Sequence, residues 1–373
     1  MNIYIYDLEM NLVGVIDKII SLVWTRRYSE TGGFKLLVPC TPEHVDILEM
    51  GMIVMRKDDD EAGQIRYIRC SMDGQGLETI EIQGSFLRWW LGKRLIQFHF
   101  QVRDITQNII KHIINDNVIN PGDTARKIPN LYFGSISSFG REAFEYEPER
   151  WANVLETCEL LAKGESIGLK IITDIETKSH FVEMYACRNL SESNGFYTPR
   201  VFSAEYDNVV DQSFTQSTEN KKTTIVVGGY KLDSSPNAQR VVTVHHALQG
   251  HERDESYLDC SSLTPQRKNE QGIDYYLNDM DYVNMLLRFG FDERAQRAEV
   301  LSFEGRLNPR SNLKYKEDFD LGDIVTVREK RWRKESDVRI EEIEETHEEG
   351  KEEINITFGE PLPTLAKKIT QGR

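Results

Sequence analysis

Apolar and polar positions alternate at both ends of this chain, and a helical period appears only between them. Ile3 and Ile5 alternate with Tyr4 and Tyr6, and the chain turns at Asp7 to Asn11, which predicts a hairpin over residues 1–14. A second hairpin is predicted over residues 22–39. Val23 and Trp24 open it, Gly32 and Gly33 make its turn, and Phe34, Leu36 and Val38 line one face of the return strand. Pro42 to Glu49 reads as a short helix or turn. Turn signals at this spacing predict an all-β barrel or sandwich for the first ~100 residues.

The pattern at Gly51–Gly84 returns at Gly322–Gly359. In each stretch a Gly leads an Ile-Val strand that ends in a charged hairpin tip. An Ile-x-x-Ile strand follows, carried by Ile65 and Ile68 or by Ile340 and Ile343. A turn centred on Gly76 or Gly350 then leads to a short strand carrying Ile80 and Ile82, or Ile354 and Ile356, closed by Gly84 or Gly359. Three strands recurring in the same order predict a duplicated sheet unit.

Between the copies the period changes. Ile105, Ile109, Ile110 and Ile113 form a stripe behind Asp104 that ends at Asn120-Pro121-Gly122. Residues 134–146 read as loop. Arg150 to Lys163 predicts a helix with Trp151, Val154, Leu155, Cys158 and Leu161 on one face and Gly164 as its stop. Strands are predicted at 169–173 and 181–186, then at 202–220, 223–229 and 241–244. Residues 245–267 read as a charged, irregular excursion. Residues 278–300 are helical, with Gly290 a candidate break. The expected fold class is α+β, mainly β: two similar β-barrel domains with an α+β domain between them. The first barrel covers 1–100, the α+β domain 101–200, the second barrel with its helix and excursion 201–360, and a tail 361–373. Strands from 201–230 could complete either barrel.

Composition narrows the function. Hydrophobic residues make up 39% and charged residues 29% of 373 positions, as in an ordinary soluble protein. A net charge of -15 argues against gripping nucleic acid through its phosphates, which takes clustered Lys and Arg. No apolar run is long enough for a bilayer, and the alternating start does not resemble an export signal. Cys40, Cys70, Cys158, Cys187 and Cys260 are odd in number and scattered, which fits free thiols better than a disulfide or zinc framework.

Candidate chemistry is sparse. No G-x-S-x-G elbow, H-E-x-x-H pair or phosphate-cradling Gly loop is present. His245, His246 and His251 lie near Glu252, Asp254 and Glu255, but exposed polar loops often look like this, and no metal is expected. Asp58-Asp59-Asp60-Glu61 lacks the alternating ligand spacing of a calcium loop and reads as a solvated hairpin tip. The acids from Glu341 to Glu353 alternate with Ile and Thr and read as the outer coat of a strand. Cys158 falls on a buried helix face and reads as core. Trp89 and Trp90 could stack on a sugar, but a domain junction is the simpler reading. No catalytic, cofactor-binding or metal-binding residue is assigned from the sequence, and no cofactor is expected.

Three stretches carry a family likeness: WTRRYSETGGFKLLVP, then EIQGSFLRWWLGKRLI, then DFDLGDIVTVREK with VRIEEIEETHEEGKEEINITFGEP. Their order resembles tailed-bacteriophage tail hub proteins, also called tail-associated or baseplate hub proteins, of the long-tailed branch. The resemblance implies a structural virion component: a homotrimer capping the distal end of the tail tube. It also implies two barrels per chain that complete a pseudo-six-fold ring. Implied partners are the tail tube, the distal tail proteins, the tail tip or fibre proteins, and DNA that passes without specific binding. The implied location is the virion tail tip, after assembly in the host cytoplasm. The chain stops soon after the second unit, where many relatives continue into a peptidase, lysin or fibre module, so no enzyme activity is expected. Two other readings stay open. One is a wall-carbohydrate-binding module using Trp89, Trp90 and nearby tyrosines; the other is a wall hydrolase whose carboxylates converge only in space.

Overall fold

The computed structural model describes residues 1–97, 100–137, 139, 142–231, 239–245, 248–268, 274–348 and 350–360. The expected tail at 361–373 lies outside the described residues, as does His246. The fold is mainly β. Both N-terminal hairpins form as the alternation predicts: Ile3–Tyr6 pairs with Leu12–Ile16, and Ser21–Arg27 pairs with Gly33–Pro39. Trp24, Phe34, Leu36 and Val38 are buried, and the Trp24 ring meets Phe34 at 5.7 Å and Phe86 at 4.8 Å between centroids. A short helix, Pro42–Ile47, follows, capped by the Thr41 side chain.

Pairing runs through the first unit in the order Leu12–Ile16, Ile3–Tyr6, Ile53–Arg56, Gly63–Met72, Glu78–Phe86, Gly33–Pro39, Ser21–Arg27, all antiparallel. It does not stop there. Ser21–Arg27 pairs with Lys334–Glu348, and the ladder continues through Lys351–Gly359 and Val300–Leu307 to Val209–Ser217. Ile324–Glu329 pairs with the first half of Lys334–Glu348, and Val201–Phe202 runs parallel to Ile324–Glu329. Among the described residues no strand pair closes either unit on itself, so the ladder departs from the expected pair of closed barrels. The physical reason is the length of Lys334–Glu348, which serves both units at once. Strands of the 201–230 segment that join this ladder pair within the second unit rather than the first.

Between the units, Leu131–Ile136, Gly168–Asp174 and Ser179–Tyr185 form a small sheet. Helices Thr106–Ile114 and Val154–Gly164 share its core, and Ile109, Ile110, Ile113, Cys158 and Leu161 are buried there. The same core takes in Tyr6, Met55, Leu87, Trp90 and Leu91 from the first unit. Residues 134–146 are not all loop: one strand runs to Ile136, and Phe144–Tyr146 pairs with Val102–Asp104. Trp151 misses the buried helix face, because the helix starts only after Asn153, whose side chain caps it, and Trp151 sits before that cap with φ +71 and an exposed ring.

A second small sheet, Gln239–His245, Thr224–Lys231 and Glu255–Asp259, packs against helix Asp279–Gln296. The segment expected to be irregular at 245–267 thus contributes a strand parallel to Thr224–Lys231. Gly290 does not break its helix. A Cβ there would lie 2.6 Å from Val244 and 2.8 Å from Val227, so this glycine lets the helix approach the sheet.

Candidate functional site

The two sheet units share more than strand order. Gly51 (φ +91) donates its N–H to the Ile65 carbonyl at 3.0 Å, and Gly322 (φ +89) donates to the Ile340 carbonyl at 2.8 Å. Such φ values favour glycine. The N–H of Ile65 returns to the Met52 carbonyl, and that of Ile340 returns to the Asp323 carbonyl, each at 2.9 Å. The preceding side chain holds the glycine carbonyl in both units: Gln64 Nε2 at 2.7 Å from Gly51 O, Arg339 Nη1 at 2.9 Å from Gly322 O. One extra residue then bulges from each strand, Arg66 after Ile65 and Glu341 after Ile340.

Register carries the equivalence onward. Ile68 faces Ile82 as Ile343 faces Ile356, and Ile65 faces Gly84 as Ile340 faces Phe358. Gly84 therefore corresponds to Phe358, and Gly359 to Ser85, so the two closing glycines of the sequence pattern stand one position apart. Two further strands match. Phe34 faces Gly84 as Phe303 faces Phe358, and Trp24 faces Phe34 as Phe214 faces Phe303. Five strands thus coincide in order, direction and register. In the first unit the first two are joined by residues 28–32; in the second they are separated by residues 218–299.

The seam between the units is an antiparallel ladder from Glu342 opposite Arg27 to Glu348 opposite Ser21. Buried charge locks it. The Arg26 guanidinium donates to Glu61 at 3.1 Å, Asp320 at 2.9 Å and the Tyr315 hydroxyl at 2.8 Å. Trp24 Nε1 donates to Asp59, which also takes Lys316 Nζ at 3.4 Å. Arg56 bonds Asp58 and reaches Glu345 of the other unit at 2.9 Å. Burial raises the Glu61 carboxyl, only partly offset by the Arg26 charge. At Asp58 burial pushes the same way, but Arg56 overcomes it and the carboxyl falls below its ordinary value. Burying such a network stabilises only when every member is partnered.

These contacts correct the reading of Asp58-Asp59-Asp60-Glu61 as a solvated tip. Asp59 is 9% and Glu61 7% exposed, and Asp60 is held by Lys170 at 2.7 Å. The acids of 341–353 are not merely a coat either: Glu345 is buried against Arg56, and Glu341 accepts from Ser29 at 2.8 Å. Nothing local in the sequence signalled either role, because the partners lie on other strands: 35 positions away for Asp59 and Glu61, 110 for Asp60 and 289 for Glu345. An open cleft of about 1020 Å³ borders the lock and is lined by Tyr4, Tyr6, Lys57, Lys170, Phe181 and Lys316 among others.

The remaining residues weighed from sequence are dispersed. Trp90 is buried, donates Nε1 to Gln64 at 2.9 Å and meets the His180 ring edge-on. Trp89 lies beneath Arg66 at 4.0 Å and Lys93 at 4.2 Å, so the pair packs at the junction with the α+β region. His251 sits exposed on a turn apart from any described metal-capable cluster, and the His245 side chain lies outside the described residues. Cys158 is fully buried, and burial pushes its thiol up. No helix among the described residues is long and apolar enough to cross a membrane.

A family model described as Siphovirus ReqiPepy6 Gp37-like protein matches residues 2–360. The chain belongs to this family. No curated protein matches it. The Gp37-like fold is similar to a 43 kDa tail protein of prophage MuSo2 from Shewanella oneidensis, with TM-score 0.61 and 13% identity over 96% of this chain and 98% of that one. It is similar to prophage tail protein gp18 from Listeria monocytogenes EGD-e, with TM-score 0.56 and 12% identity over 100% and 98%. A tail protein from Neisseria meningitidis MC58 matches with TM-score 0.58 and 8% identity over 96% of each chain. The resemblance to tailed-phage tail proteins seen in the sequence thus meets both a family and a fold, and this Gp37-like chain is a phage tail structural protein.

Proposed function

We propose that this chain is a tail hub: a homotrimer that caps the distal end of a phage or prophage tail tube, organises the tail tip and surrounds the DNA exit channel. The observation that carries this reading is the doubled five-strand unit. Two like units in each of three chains supply six similar positions, which matches a ring of six tube subunits, and a head-to-tail contact that closes by rotation builds such a ring. The two units act as barrel-like domains, with the α+β region and the excursion as decoration. The tail tube, distal tail proteins and tip or fibre proteins are the partners, and assembly takes place in the host cytoplasm before incorporation at the virion tail tip.

The role is geometric rather than enzymatic. In support, of the acids lining the cleft Asp58, Asp59, Asp60 and Asp320 are each bonded to a cation, and Asp174 accepts from the backbone N–H groups of Glu176 and Thr177. An acidic channel wall suits DNA, which carries one negative charge per ~1.7 Å of axis and would slide past instead of adhering. Glu344, Glu348 and Glu353, which share one face of neighbouring strands, are the acids expected to face it. Light scattering on the purified chain, alone and with tube and tip proteins, tests the reading. A trimeric mass is expected; a strict monomer under every condition overturns it.

A further inference from the structure

The seam inside the chain is a template for a seam between chains. Within one molecule, Glu342–Glu348 of the second unit lies antiparallel beside Ser21–Arg27 of the first. By the register equivalence, Tyr67–Met72 corresponds to Glu342–His347, and Ser213–Ser217 corresponds to Val23–Arg27. The counterpart of the internal seam would therefore join strand Gly63–Met72 to strand Val209–Ser217. Within the chain these two strands are far apart along the ladder, with six strands between them.

Both edges are open. Gly63–Met72 is covered on one side by Glu78–Phe86 and on the other only from Gly63 to Ile65, by Ile53–Arg56 and the preceding Gly51 and Met52. Beyond that point Tyr67, Arg69, Cys70, Ser71 and Met72 are exposed, Met72 by 63%. Val209–Ser217 is paired on one side with Val300–Leu307 and, among the described residues, has no ladder partner on the other. An uncovered strand edge is a template for another chain, and soluble proteins normally blunt it. Here Ser213–Ser217 is regular, because the bulge at Asp211 (φ +52) ends before it.

We propose that these edges meet between copies of this chain. Strand Gly63–Met72 of one copy pairs antiparallel with Val209–Ser217 of the next, with Tyr67 opposite Ser217, Arg69 opposite Thr215 and Ser71 opposite Ser213. The contact is head-to-tail, so each copy offers one edge forward and one back, and internal and external seams alternate around the assembly. The proposal rests on the hub reading for the presence of an oligomer, but the choice of edges and register comes from the internal seam.

Directly opposed strand residues have Cα atoms about 4.5–5.5 Å apart, within the span a disulfide bridges. The test is a Cys70→Ser background carrying Ser71→Cys with Ser213→Cys, oxidised mildly with and without tube and tip proteins and run on a non-reducing gel. Three comparison proteins accompany it: Ser71→Cys alone, Ser71→Cys with Ser217→Cys, and Val13→Cys with Ser213→Cys, which probes the other open edge at Leu12–Ile16. A register offset of four residues adds roughly 13 Å along the strand. The expected result is reducible dimer and trimer bands for the 71/213 pair, at least about tenfold stronger than for the offset pair. Scattering on the same samples separates the two readings. A trimer in which 71/213 stays uncrosslinked, or in which 13/213 or 71/217 reacts as well, overturns the seam and leaves the hub reading standing. A monomer throughout overturns both.

Discussion

At the level of single residues, the lock around Arg26 and the buried His180 set the most specific expectations. Arg26 has Glu61, Asp59 and Asp320 around it, and replacing it by Met strands buried carboxylates. Unfolding by urea should show a loss of about 3–5 kcal/mol. Adding Glu61→Gln should recover part of that loss, since the two residues share one interaction and their effects are not additive. Equal or additive losses would show that Arg26 matters only through packing. His180 is 1% exposed beside Trp90, and burial lowers its pKa from 6.5 to about 4. Between those values the unfolded chain binds a proton that the folded chain refuses, so stability rises with pH across that window and falls on acidification. The contribution from this residue is at most about 3 kcal/mol, complete near pH 4. Comparing pH-dependent melts of the parent and His180→Leu isolates it, because the carboxylates are common to both. A parent and variant with the same slope between pH 4 and 6.5 would mean that His180 is hydrated.

Among elements, the glycine-led turns show why part of the fold is readable from the chain and part is not. Alternation located the hairpins, and the spacing of Ile65 and Ile68, repeated at Ile340 and Ile343, located the recurrent meander. Those positions are legible because a residue facing a buried sheet interior has few allowed identities. The echo of the second hairpin is hidden. Leu36 corresponds to Gly305, and Trp24 to Phe214, with 82 residues (218–299) set between strands that in the first unit share a tight turn. The charge lock was unreadable for a related reason: alternation puts Arg26 on the inward face with Leu22 and Trp24, but its partner Asp320 is 294 positions away. Leu131–Ile136 escaped because its polar and glycine positions mimic a loop. The glycines also differ in what surrounds them. Gly76 (φ +86) has open space where a Cβ would point, whereas at Gly322 a Cβ would lie 2.4 Å from Cys187 Sγ and 2.6 Å from the Tyr28 ring. Gly76→Ala should cost about 1 kcal/mol from backbone strain alone. Gly322→Ala should cost about 2–4 kcal/mol, because overpacking adds to the same strain. Equal losses in a denaturant titration would mean that the Tyr28 and Cys187 side chains move aside freely.

For the molecule as a whole, the excursion at 218–299 is a hairpin connection grown large, and that makes it removable. Ser217 and Val300 stand directly opposite each other in the ladder, so a short turn can span them as residues 28–32 span Arg27 and Gly33. The excursion keeps a core of its own, with Ile225, Val227, Tyr282, Met285 and Leu286 buried together. Its contacts with the rest are fewer: Phe289 stacks on Tyr146 at 6.4 Å, and Arg288 reaches Glu165 at 2.6 Å and lies over Phe144. Replacing 218–299 by a five-residue polar turn uncovers Phe144 and Tyr146 and should lower stability by roughly 2 kcal/mol. The five strands of the second unit lose none of their ladder partners, and neither proposed edge is altered. The shortened chain should therefore melt cooperatively and show the same oligomeric mass as the full chain by light scattering. A soluble, folded variant that no longer associates would place the contact between copies on the excursion instead of the strand edges. A variant that loses cooperative melting would show that the second unit depends on the excursion for its fold, and the equivalence of the two units would then be one of shape without independent stability.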